Sequence, residues 1–212
     1  LKKKNFVDST QKDDVNNQLI IQKWLAIVLL KNAFGSSSDT ILKNLQDIMN
    51  EQTDFSVFPF GAINQKLGIE PNFSDTEIAN LTSTAYGSKY SYLILSLLYP
   101  NRDWKDSVYH EDHIFPKSSF TARSLSIRKY SDEQIEKYQR HFNTILNLQL
   151  LTDSENLEKN ATPFDDWFPT RDDNFRIRHS IPAMTSYDFD HFLEFIEKRR
   201  AEIAAKLCKI SM

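Results

Sequence analysis

Apolar positions in this 212-residue chain fall mostly at helical spacing, and only two short stretches read as strand. Residues 15 to 34 are apolar on nearly every side, which predicts a buried helix. Gly35-Ser36-Ser37-Ser38 breaks it, and Ser38 or Asp39 caps a second helix to about Gln52, with Ile41, Leu42, Leu45 and Ile48 on one face. Phe55 to Leu67 reads as a loop entering a short helix. Ser74 followed by Glu77 has capping-box spacing and opens a helix ending near Tyr86-Gly87, and the apolar run from Tyr90 to Tyr99 is a further helix stopped by Pro100. After a polar stretch at Asp103 to Ser107 the pattern becomes strand, basic loop, a helix starting at Ser131, strand and helix. From Tyr187 a long terminal helix carries Phe189, Leu193, Ile196, Ile203 and Leu207.

These elements predict a mostly α chain with a small β component, an α+β fold. They divide it into a helical subdomain over 1–103 that looks purely structural, a segment over 104–182 holding both strands, and a terminal helix over 183–212 packing on both. Four glycines against seven prolines agree, because an all-β fold needs many tight turns.

Composition narrows the function classes. The apolar runs Trp24 to Leu30 and Tyr92 to Tyr99 are far shorter than the roughly 20 residues that span a bilayer, so a soluble protein with no membrane partner is expected. The lone Cys208 can form no internal disulfide, which points to a reducing, cytoplasmic location. Leu1-Lys2-Lys3-Lys4 begins no signal peptide, and the missing initiator methionine suggests a piece of a longer protein. A net charge of −3 provides no global attraction to nucleic acid, so phosphate contacts must come from a local patch. Lys117, Arg123 and Arg128, followed by Lys129, Lys137 and Arg140, provide one candidate; the other reading of that stretch is a solvated helix face.

The chemistry concentrates between residues 109 and 159. Phosphodiester hydrolysis needs a base to activate water, a cation to neutralise developing charge and a frame to align them. In an extended strand His110 and Asp112 share one face and Glu111 and His113 the other, but Pro116 ends the strand just beyond, and a twist there could bring Asp112 and His113 to one site. Asp112 is a hard oxygen ligand suited to Mg²⁺ or Mn²⁺, and His113 can take a proton near neutral pH. Asn156, in a helical turn after Leu150-Leu151-Thr152, offers an amide oxygen, and Lys159 lies on the same face as an expected catalytic, phosphate-facing cation that aids the transition state. Asp153 reads as the cap of that helix, Glu155 as solvated, and Trp104, Trp167 and Phe168 as core rather than base-stacking platforms.

Tyr109-His110-Glu111-Asp112-His113-Ile114-Phe115-Pro116-Lys117-Ser118, with Asn147, Asn156 and Lys159 at steps of nine and three, resembles the HNH (ββα-metal) nuclease motif in the variant also found in RNA-guided CRISPR effectors. The resemblance implies that 104–182 is a nuclease module with an inserted helix, that His113 is the general base, that Asp112 and Asn156 hold Mg²⁺ (or Mn²⁺), and that Asn147 braces the metal loop through backbone hydrogen bonds. His110 stands where the CRISPR variant has an acidic residue and is open to three roles: a further metal ligand, a partner to a ligand, or none. Together with Ala33-Phe34-Gly35-Ser36, Ser38-Asp39-Thr40 and the Phe192-Leu193 to Arg199-Arg200 helix, the motif also resembles the C-terminal half of GmrSD-type restriction proteins of bacterial phage defence. That likeness implies DNA as substrate, foreign and often base-modified, and an N-terminal nucleotide-dependent domain of the same protein as partner.

Three function classes follow from the residues: a Mg²⁺-dependent DNA endonuclease, a non-catalytic DNA-binding or interaction domain derived from an HNH fold, and an unrelated metal hydrolase built on His110, Asp112 and His113. Retention of Asp112, His113, Asn147, Asn156 and Lys159 together favours the first.

Overall fold

In the computed structural model the described residues are 12–33, 35, 38–52, 57–99 and 107–210, and they form two compact units. The first runs up to Phe73 with Lys209 and Ile210, and the second is Ser74–Cys208. This division lies at 73/74 rather than near 103, because the helices after Ser74 pack against the strand-bearing segment and the terminal helix. The second unit alone thus contains both strands and the whole terminal helix, Phe192–Cys208.

The first unit holds α1 (Lys12–Leu30), α2 (Ser38–Glu51) and α3 (Phe60–Leu67). Its core is Trp24, Val28, Ile48, Phe58 and Ile63, locked by Trp24 Nε1 donating to Asn64 Oδ1 at 2.9 Å. The expectation that α1 is buried all round is corrected: Leu19 and Leu25 are 55% and 43% exposed. On α2, Ile48 is buried while Leu42 faces out. The break at 36–37, Pro100 and Trp104 lie outside the described residues, as does the side chain of Ser38.

The second unit opens with α4 (Asp75–Thr82), whose capping box is formed: Ser74 Oγ accepts from Glu77 N at 3.3 Å and Glu77 Oε2 from Ser74 N at 2.7 Å. The helix stops at Thr82, short of the expected Tyr86-Gly87. Thr82, Ser83 and Thr84 turn their hydroxyls back onto the carbonyls of Ala79 and Asn80, and beyond them Tyr86 N is claimed by Asn143 O at 2.8 Å. After α5 (Ser91–Leu97) comes β1 (Tyr109–His113), then α6 (Ala122–Ile127), α7 (Asp132–His141), β2 (Leu148–Thr152), α8 (Asp153–Lys159), α9 (Phe164–Trp167), α10 (Asp173–Arg178) and α11 (Phe192–Cys208). The basic loop expected after β1 is largely α6, capped by Thr121, and the terminal helix begins after a 3-10 turn capped by Asp188.

Strands β1 and β2 pair antiparallel with Asp112 opposite Gln149 and His113 opposite Leu148. Helix α8 follows β2 directly and packs on both strands, completing a ββα arrangement. Beneath it, Phe115, Phe120, Tyr138, Phe164, Phe189, Phe192 and Phe195 form a continuous aromatic core in edge and tilted contacts. Phe115 sits two residues beyond His113, so the end of β1 is anchored in the densest part of the unit.

Candidate active site

Alternation along β1 separates its side chains as the sequence predicts. His110 and Asp112 meet α8, while Glu111 and His113 meet the segment 84–91 and Asn143. Asp112 and His113 nevertheless both line one open cleft at the strand end, together with Pro116, Lys117, Ser118, Lys159, Asn160 and Ala161. Pro116 ends the strand and turns the chain, so that neighbouring side chains of opposite facing border the same space.

Asn147 is fully buried and ties three main-chain groups together. Its Oδ1 accepts from Phe115 N at 3.0 Å, and its Nδ2 donates to Phe115 O at 3.1 Å and Phe142 O at 2.7 Å. Its own carbonyl accepts from Ile114 N at 2.8 Å. The 3-10 turn Ile145–Asn147 that carries it is gripped from α11 by Arg199, a fully buried guanidinium donating to the carbonyls of Leu146 and Leu148 at 2.7 Å, and also to His179 and Ser180. Burial brings that guanidinium down to about 10, still charged at neutral pH.

Lys159 was expected to face substrate phosphate, and its placement corrects that role. It is 0% exposed, with Nζ 2.7 Å from the carbonyl of His113 and 3.0 Å from Asp112 Oδ2. Burial lowers its affinity for the proton and the Asp112 carboxylate opposes that shift. Lys159 thus clamps α8 to the end of β1. Asp112 Oδ2 also accepts from Gln149 Nε2 at 2.9 Å, whereas its Oδ1 has no hydrogen-bond partner among the described residues.

His113 donates from Nε2 to Asn143 Oδ1 at 2.9 Å, its ring lying 4.9 Å from Tyr86 and 6.5 Å from Phe142. With an amide oxygen as partner, Nε2 carries the proton and Nδ1 keeps the lone pair. Partial burial, chiefly, holds the imidazole below its ordinary value, helped by Lys117 and Lys159; the Asn143 hydrogen bond and Asp112 act in the other direction. His113 is therefore neutral at pH 7 and able to accept a proton.

The remaining sequence candidates divide. Asn156 is half-buried on α8, one turn before Lys159, and its side-chain amide has no partner among the described residues. His110 is bonded through Nε2 to Asp153 on the first turn of α8 and does not line the cleft. Asp153 is not the cap: Thr152 caps α8 in a capping box with Glu155, which also pairs with Arg178 at 3.1 Å rather than being simply solvated. Lys117 and Arg123 are exposed near the cleft entrance and on α6, but Arg128 pairs with Asp190 at 2.9 Å and lies over the Phe189 ring. Trp167 belongs to the core, as expected.

Among the described residues no three His, Cys, Asp or Glu side chains gather into a metal cluster. Asp112 Oδ1 is left open at the cleft, and the Asn156 amide is unpartnered on α8 though it does not line the cleft; both offer hard oxygens, which fit a divalent cation like Mg²⁺ that keeps most of its water and do not fit zinc.

Sequence reasoning missed Gln149, Asn143, Glu111 and Tyr86. Gln149 carried a signal, being a polar residue within Leu148-Gln149-Leu150-Leu151 on a buried strand. Asn143 and Tyr86 carried none, since they reach His113 only through tertiary contact. Comparison with family models and with curated proteins gave no match to this chain. Among the described residues no helix is long and apolar enough to cross a membrane.

Proposed function

We propose that the second unit is a Mg²⁺-dependent DNA endonuclease module. The observation that carries this reading is the meeting of His113 and Asp112 at one open cleft on a ββα frame, with His113 held neutral and Nδ1 left as its basic atom. In this reading His113 Nδ1 takes the proton of a water whose oxygen forms the new bond to phosphorus, while the bond to the leaving oxygen breaks. Asp112 and Asn156 would hold the divalent cation, which when bound neutralises charge on the phosphoryl and leaving oxygens. Asn147 and Lys159 keep the strand end rigid, and Lys117 offers an exposed cation at the cleft for the DNA backbone.

The likeness to GmrSD-type proteins extends the proposal to a cytoplasmic restriction protein of bacterial defence, acting on foreign DNA with a nucleotide-dependent domain as partner. The deciding experiment is plasmid nicking by the purified chain with Mg²⁺, with Mn²⁺ and with EDTA. Metal-dependent conversion of supercoiled plasmid that is lost in His113→Ala is the expected result. Absence of cutting in either metal, with DNA binding retained, would favour the non-catalytic binding domain.

A further inference from the structure

A segment that the sequence assigns to a purely structural subdomain reaches His113 from the side away from the cleft lining, through the ring of Tyr86. Residues 84–91 are fixed to the site by four ties. Ile145 N donates to Thr84 O at 3.0 Å, Tyr86 N donates to Asn143 O, and Glu111 accepts from Gly87 N at 3.2 Å and from Ser91 Oγ at 2.7 Å. Glu111 shares a strand face with His113, and Asn143 binds Tyr86 through its main-chain carbonyl and His113 through Oδ1, so one residue positions both the loop and the candidate base. Gly87 adopts φ +70° with open space around it, which lets the loop turn sharply beside the strand.

A loop held this firmly would be expected to bury its large side chain. Instead Tyr86 stays 46% exposed with its ring against His113, and Lys89 is exposed over the ring of Tyr90 at 4.9 Å. A rigid, half-open aromatic beside a proton acceptor, with a cation three residues on, is the combination that grips a nucleic-acid strand by base stacking and phosphate contact. Lys117, close enough to His113 to depress its proton affinity, offers a second cation at the cleft.

We infer that Tyr86 stacks on an unpaired base next to the phosphate at His113 and that Lys89 contacts a neighbouring phosphate, making single-stranded or locally opened DNA the preferred ligand over intact duplex. This rests on the nuclease reading for the place of the scissile phosphate, but its test does not depend on cutting. Fluorescence anisotropy in EDTA would compare a labelled 20-nucleotide single strand with the matching duplex for the whole chain and its variants. Tyr86→Leu, which keeps bulk without a ring, should weaken single-strand binding about ten-fold and duplex binding far less, whereas Tyr86→Phe should bind as wild type. Tyr86→Leu should leave the salt dependence unchanged, while Lys89→Ala should make its slope shallower by about 0.7.

Equal affinity of Tyr86→Leu and wild type for the single strand, or equal losses on single strand and duplex, overturns the assignment. So does a wild-type chain that favours duplex or binds neither. Metal-dependent plasmid cutting together with unaffected Tyr86→Leu binding would remove only the loop assignment. Ring-dependent single-strand binding without cutting in any metal would remove the nuclease reading and leave the strand-binding surface standing.

Discussion

Lys159 Nζ lies 3.0 Å from Asp112 Oδ2 with the lysine wholly buried and the carboxylate 13% exposed, so the charge of the candidate metal ligand is already half-answered by the protein. The pair fastens α8 to β1 and leaves Asp112 only Oδ1 to offer outward. Removing Lys159 therefore acts first on stability. Lys159→Met should cost about 2–3 kcal/mol in urea unfolding, because a mostly buried carboxylate loses its partner, and Asp112→Asn in the same chain should recover part of the loss. Wild-type stability in Lys159→Met would refute the clamp.

His113→Ala should abolish metal-dependent cleavage and leave the fold intact, since the side chain is half-exposed and its removal opens no core cavity. Near wild-type cutting in single-turnover assays would end the general-base assignment.

Acidity should act through the same residue. Its folded proton affinity lies below the ordinary imidazole value, so the neutral form is favoured by folding; that stabilisation is present above about pH 6.5 and declines as pH falls toward the folded value. The acid limb of cleavage should accordingly lie below pH 6.5. A limb above it, in a pH series with protein shown folded at each point, contradicts the neutral, Asn143-bound state.

Asn147→Ala should destabilise by about 3 kcal/mol, as it strands the main-chain groups of Phe115 and Phe142 in the interior. An unchanged melting temperature with altered activity would mean that its bonds to the loop are not what matters.

Metal affinity separates the ligand candidates without any turnover. Asp112→Ala and Asn156→Ala should each weaken Mn²⁺ binding about ten-fold by titration followed with electron paramagnetic resonance, while His110→Ala, engaged with Asp153 away from the cleft, should leave it nearly unchanged. A loss in His110→Ala as large as in Asp112→Ala would return His110 to the ligand set.

The sequence alone determined what depends on neighbours along the chain. Helical periodicity, the Ser74–Glu77 capping box, the strand-helix succession from Leu148 to Lys159 and the facing of alternate residues on β1 are local properties, set by backbone geometry and short-range hydrogen bonds, and each is visible in the structure. Misreadings arose where distant groups compete. The helix from Asp75 ends early because Asn143 takes Tyr86 N, Asp153 yields the cap to Thr152 while it bonds His110, and Leu19 faces outward although its surroundings in sequence are apolar. Only the tertiary structure decided that Lys159 is buried against Asp112, that Gln149 stands opposite it, and that Asn143 sets the tautomer of His113. These choices join residues 30 to 47 positions apart, and their energies depend on burial and mutual distance, quantities that exist only once the chain has folded.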